Sequence, residues 1–260
     1  MITSIARLAS YTQIAMASEF KRVGILYPGY AAEGDFELLN RRFAGTGAFE
    51  VVHTSIREDT HSEDSLLDMG SRERLFEGAS RLPAGISSVV WACTSGSFIY
   101  GWDGARAQAA ELQDALGLPV SSTSLAFVTA ARALGLRRVS IAATYPADIT
   151  RRFEEFLARA GLEPVAVTSR GIVTATEVGT LSSDDAGELV AAADSSDADA
   201  LLVPDTALHT IDAIEALEQV AGKPVLTANQ VSAWEGLRLA GADPMRQGPG
   251  QLFGALTTRS

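Results

Sequence analysis

The feature that most constrains the fold is an internal echo. The run Arg22-Val23-Gly24-Ile25-Leu26-Tyr27-Pro28 returns as Arg138-Val139-Ser140-Ile141-Ala142-Ala143-Thr144-Tyr145-Pro146, and Val89-Val90-Trp91-Ala92-Cys93 returns as Leu201-Leu202-Val203-Pro204-Asp205. Each member of the second pair leads into a helical stretch, then a Pro-Val strand (Pro119-Val120 and Pro224-Val225), then a helix closing near glycine. Short apolar runs bounded by turn residues and alternating with helices read as βα units of a parallel sheet. Two such arrays in tandem predict an α/β fold of two pseudo-symmetric half-domains, each a mainly parallel sheet flanked by helices. The expected boundaries are an N-terminal extension over 1–20, a first half over 21–120 and 226–260, and a second half over 121–225. In open parallel sheets ligands sit at the carboxyl ends of strands, so equivalent strand ends should face one another across a cleft holding the active site.

Along the first array the expected strands are Lys21 to Tyr27, Phe49 to Thr54, Val89 to Ala92 and Leu118 to Ser121. The expected helices are Phe36 to Phe43 closing at Gly45, Asp68 to Leu82, Trp102 to Leu116 and Ser124 to Leu134. The polar, acidic stretch from Ile56 to Ser71 reads as a loop or a solvated helix start rather than a site.

One strand exit carries the chemistry. Cys93, the single cysteine, follows a buried apolar run and precedes Thr94-Ser95-Gly96-Ser97, just ahead of a helix. A lone cysteine is usually an inert core residue. Its place at the strand end, near a helix N-terminus that would lower a thiol pKa, points instead to a reactive group. The duplication sets Asp205 opposite Cys93, as an acid or base whose carboxyl burial would raise. It could equally cap the helix expected through Ile211 to Val220.

Charge and composition narrow the function. A net charge of -11 disfavours nucleic acid or an anionic membrane as partner. A single cysteine allows no intrachain disulfide and fits a reducing cytoplasm. His53, His61 and His209 have no ligand-like spacing, so no metal site is expected. No stretch has the length and apolarity of a membrane span, and Met1 to Ser18 lacks the compact apolar core and basic start of a signal peptide. A homodimer would be ordinary for an enzyme of this size.

In this order and spacing, the CTSGS turn at Cys93 to Ser97, the Thr144-Tyr145-Pro146 turn, Gly171-Ile172 with Glu177-Val178-Gly179, and Pro204 to Asp212 with Lys223 to Trp234 resemble the cofactor-independent aspartate/glutamate racemase superfamily. Within it they are most similar to the branch of maleate cis-trans isomerase and arylmalonate decarboxylase. The resemblance implies two α/β halves around a cleft, the last strand and helix packing back onto the first half, and a small carboxylate or dicarboxylate as substrate. It implies isomerase chemistry with Cys93 as nucleophile or acid/base, or alternatively decarboxylation with Cys93 as proton donor; a small-molecule binding protein is the rival from another class. Cys93 matches the first of two cysteines found in the isomerases and racemases, and Asp205 stands where the second is expected. The decarboxylase keeps only the second. The resemblance further implies that Thr94 and Ser95 bind a carboxylate with Tyr145 and Thr206, and that Pro28 and Tyr30 lie in a substrate-contacting loop. Asparagines typical of the isomerase in that loop and near Gly171 to Gly179 are absent.

Overall fold

Two four-stranded parallel sheets with the same strand order carry the echo. In the computed structural model, which describes residues 21–43, 48–242 and 248–254, β1 (Arg22–Pro28), β2 (Phe49–Thr54), β3 (Ile86–Trp91) and β4 (Val120–Ser122) form a sheet of order β2-β1-β3-β4. The second sheet repeats it as β6-β5-β7-β8, from β5 (Arg138–Ala143), β6 (Glu163–Ser169), β7 (Ala200–Val203) and β8 (Val225–Thr227). All pairings are parallel, and the registers correspond: Ile25 lies between Val51 and Val90, and Ile141 between Val167 and Leu202. Val23, Ile25 and Leu26 of β1, and Val139, Ile141 and Ala142 of β5, are buried on both faces, which is why these strands read as unbroken apolar runs.

The helices of the first array are α1 (Gly34–Arg42), α2 (Glu63–Met69), α3 (Arg72–Ala79), the single turn α4 (Ser95–Phe98), α5 (Gly101–Leu116) and α6 (Thr123–Ala133). The second array contributes α7 (Ala147–Arg159), the short α8 (Ala175–Val178), α9 (Ser183–Ala193), α10 (Ile214–Ala221) and α11 (Ala228–Leu239), followed by α12 (Gly250–Gly254). The single helix expected over Asp68 to Leu82 is two. Ser62 caps α2 by accepting from the Ser65 amide, Ser71 caps α3 by accepting from the Arg74 amide, and the chain turns at Gly70 between them. A Cβ on Gly70 would lie 2.1 Å from the Gly96 carbonyl oxygen, so glycine there lets the break press against the turn that follows Cys93.

The last strand does not return to the first half. β8 pairs with β7, and the helix after it crosses, so that α11 packs on β1, β3 and β4 and along α6. Ser88 fixes the crossing by donating 2.7 Å to the Gly236 carbonyl. Residues 1–20 and Gly45 lie outside the described residues.

Candidate active site

A cavity of about 770 Å³ opens at the carboxyl ends of β1, β2, β3 and β7, within the range of small-molecule sites. Of the residues singled out in the sequence, Pro28, Tyr30, Cys93, Ser95, Asp205 and Thr206 line it. Thr94 and Tyr145 do not; both are buried behind the wall, where the Tyr145 phenol donates to the Pro204 carbonyl at 2.7 Å. Burial pushes that phenol well above its ordinary value, with Asp205 and Cys93 adding to the shift. It stays a donor across physiological pH.

Cys93 is only 3% exposed. Its sulfur accepts from the Gly96 amide at 3.2 Å and lies 3.7 Å from Met69 Sδ and 3.8 Å from Ser95 Oγ. The expected lowering of its pKa does not occur. Burial pushes the thiol up to about 12, and the Asp205 carboxylate adds to the rise, against a smaller opposing effect of Gly96 and Ser95. The helix that follows at once, α4, has a single turn, while the long α5 begins only at Gly101, so no long helix aims its N-terminus at the sulfur. The surroundings of Cys93 therefore favour the protonated thiol.

Asp205 is buried across the cleft, at the end of β7. One carboxylate oxygen accepts a short hydrogen bond from the Thr144 hydroxyl, and the other accepts from the Ala207 amide at 2.9 Å. It does not cap the following helix: α10 starts at Ile214 with Ala213 in the cap position, and Asp205 instead closes a tight turn two residues long. The halves are stitched together beside it. The Tyr27 hydroxyl donates to the Thr206 carbonyl at 2.7 Å while accepting from the Ala32 amide at 3.0 Å.

The stretch after β2, expected to be solvated, forms part of the wall. Ser55, Ile56, Asp59, Thr60 and His61 line the cavity. Asp59 accepts from the amides of Ala175 at 2.8 Å and Thr176 at 3.0 Å, and the His61 amide donates to the Val173 carbonyl at 2.7 Å. This segment of the first array is thus a strap across the cleft onto the second. Burial alone would raise the Asp59 carboxyl, but the hydroxyl and amide of Thr176 and the Ala175 amide outweigh it and hold the group below the usual carboxylate range. The rule that places ligands at the carboxyl ends of strands already pointed to this loop, since it leaves β2 there. Among the described residues no group of His, Cys, Asp and Glu side chains is arranged to hold a metal ion.

A model of the arylmalonate decarboxylase family matches residues 69–253. The chain belongs to this family. Arylmalonate decarboxylase of Bordetella bronchiseptica is 35% identical over 188 residues, 70% of this chain and 77% of that protein. A liganded arylmalonate decarboxylase carrying a glycine-to-cysteine and a cysteine-to-serine change is 28% identical, with a TM-score of 0.80 over 90% of this chain and 99% of that one. A maleate cis-trans isomerase from Nocardia farcinica, a cysteine-to-serine mutant with a covalently bound succinylcysteine intermediate, is 25% identical, with a TM-score of 0.78 over 90% and 98% of the two chains. The relatives of this chain thus include both chemistries expected from the sequence, decarboxylation and isomerisation. Among the described residues no helix is long and apolar enough to cross a membrane.

Proposed function

We propose that the chain is a cofactor-independent enzyme acting at the carbon next to a carboxylate of a small dicarboxylic acid, and that its reaction is decarboxylation of a malonate-type acid. The observation that carries this reading is the buried Cys93 thiol in the cavity wall, where burial favours the protonated form. As the bond to the departing carboxylate breaks, carbon dioxide leaves and the electron pair stays on the α-carbon, spread into the remaining carboxylate as an enediolate. Cys93 then gives its proton to that carbon, and the resulting thiolate is reprotonated from water. Ser95 and Thr206 at the wall are the groups to hold the carboxylate on which charge develops. Pro28 and Tyr30 border the space for the rest of the substrate.

The isomerase reading is favoured by Asp205. A carboxylate sharing the cavity with Cys93 could take the thiol proton, and the thiolate could then add to a double bond, leaving a single bond free to rotate before elimination. The succinylcysteine of the Nocardia enzyme supports such a step on this fold.

Incubating phenylmalonate and maleate separately with the protein in deuterated buffer tests both. The decarboxylase reading expects carbon dioxide release with one deuterium at the α-carbon of the product, and a loss of a hundredfold or more in the Cys93→Ala variant. Conversion of maleate to fumarate without carbon dioxide release would establish the isomerase instead. Inertness toward both acids, or full activity of Cys93→Ala, would overturn the assignment.

A further inference from the structure

His61 has no role in the steps above, yet it is built into the cavity. Its side chain lines the wall, and the residue is only 8% exposed. Its Nδ1 lies 3.1 Å from the Ile172 carbonyl oxygen, which only accepts, so Nδ1 carries the proton. The neighbouring hydrogen bonds of Asp59 and of the His61 amide clamp the strap on both sides of the ring. The ring packs edge to face on Tyr145, with centroids 4.9 Å apart. Nε2, the other nitrogen, has no hydrogen-bond partner among the described residues and is not sealed in the interior, so it opens onto the cavity that His61 lines.

The remaining charged and chargeable side chains of the wall are committed. The carboxyl oxygens of Asp205 and Asp59 accept from hydroxyl and amide donors. Arg81 donates to the His53 carbonyl and to Glu77 and is half exposed. His53 pairs through Nδ1 with the Gly29 carbonyl and stacks on Tyr30, which is itself 75% exposed. Of the wall's cationic and imidazole side chains, His61 is the deepest. With Nδ1 donating, Nε2 accepts in the neutral ring; a ring that takes up a proton together with an anionic ligand becomes a charge-assisted donor through Nε2.

We propose that His61 is a specificity-determining residue whose Nε2 binds the second carboxylate of the substrate, selecting dicarboxylates over monocarboxylates. This rests on the carboxylate reading of the cavity. A hydrogen bond held equally in the ground state and the transition state is uniform binding, which lowers KM and leaves kcat unchanged.

Malonate and propanoate, which match in carbon count and differ by one carboxylate, are titrated calorimetrically into the Cys93→Ala protein with and without His61→Leu or His61→Gln. The expected result is that His61→Leu lowers the ratio of malonate to propanoate affinity about tenfold, the loss that follows removal of one hydrogen bond to a charged group, and that His61→Gln recovers part of it. With Cys93 restored, His61→Leu should raise KM for phenylmalonate while kcat holds. A ratio indifferent to His61, or both affinities falling together, would overturn the assignment and leave His61 a brace for the strap. Failure of the Cys93→Ala protein to bind either acid would overturn the carboxylate reading and the role of His61 with it.

Discussion

Replacing Asp205 by Asn separates chemistry from architecture, because the two amino acids share a shape and differ by a charge. Both carboxylate oxygens are engaged, one by the Thr144 hydroxyl and one by the Ala207 amide. Asn keeps the acceptor for Ala207, and its NH2 can donate to Thr144 once that hydroxyl turns. Hydrogen bonds to a charged group contribute roughly 1.5–3 kcal/mol and neutral ones roughly 0.5–1.5, so the exchange should cost about 1–2 kcal/mol of stability. Relief of the buried charge offsets part of that cost. Urea unfolding should therefore show a modest drop in midpoint with the slope unchanged. An acid or base in the reaction would lose on the order of a hundredfold or more in turnover. A second reading comes from the thiol: the Asp205 carboxylate helps hold the Cys93 pKa up, so in the variant iodoacetamide should alkylate Cys93 faster at a fixed pH. Burial, the larger cause, remains, and the rate should still trail that of a free thiol. A variant that unfolds earlier yet turns substrate over at the parent rate would refute a chemical role for Asp205. An unchanged alkylation rate would refute its electrostatic hold on Cys93.

Three further outcomes follow from the geometry. With its folded pKa near 12 against about 8.5 when unfolded, Cys93 should favour the folded state fully below pH 8.5, and stability should fall as pH rises from there toward 12; urea midpoints at pH 8 and 10.5 should show a slope that Cys93→Ala removes. Asp59, its carboxyl held low by the Thr176 and Ala175 groups, contributes stability above its unfolded value near 3.9 that is lost as pH falls through its lower folded value, so Asp59→Asn at neutral pH should speed amide exchange at Ala175 and Thr176. Gly236→Ala would set a Cβ 2.4 Å from Val23 and 3.2 Å from Val90, and thermal unfolding should report a loss of about 1–3 kcal/mol.

The sheets were legible because buried parallel strands leave a mark in one dimension. The matched runs at Val23 to Leu26 and Val139 to Ala142 are both covered on two faces, and no other element produces such short, glycine- and proline-bounded apolar stretches twice in one order. The placing of Cys93 and Asp205 at equivalent strand ends followed from that repetition alone. The state of the Cys93 thiol did not, because it depends on how deeply neighbours such as Met69 bury it and on the shortness of α4, neither of which shows in local pattern. The strap itself was misread for a related reason: His61 and Asp59 find their partners 111 and 116 positions further along, and a polar run that is satisfied at long range looks the same as one that water satisfies. β8 was misplaced because its three residues are too few to signal which sheet they join.

The crossing of α11 sets an order of events on the ribosome. β1, β3 and β4 are synthesised within the first 122 residues, but the helix that covers them spans Ala228–Leu239. Until it emerges, Val23 and Val90 lack the helix that packs on them, and an apolar sheet left partly uncovered is prone to aggregate. The first array should therefore not mature as an autonomous unit during translation. Its completion waits for almost the whole polypeptide, and a chain stopped after β8 should be captured by chaperones or proteases rather than accumulate as a folded half.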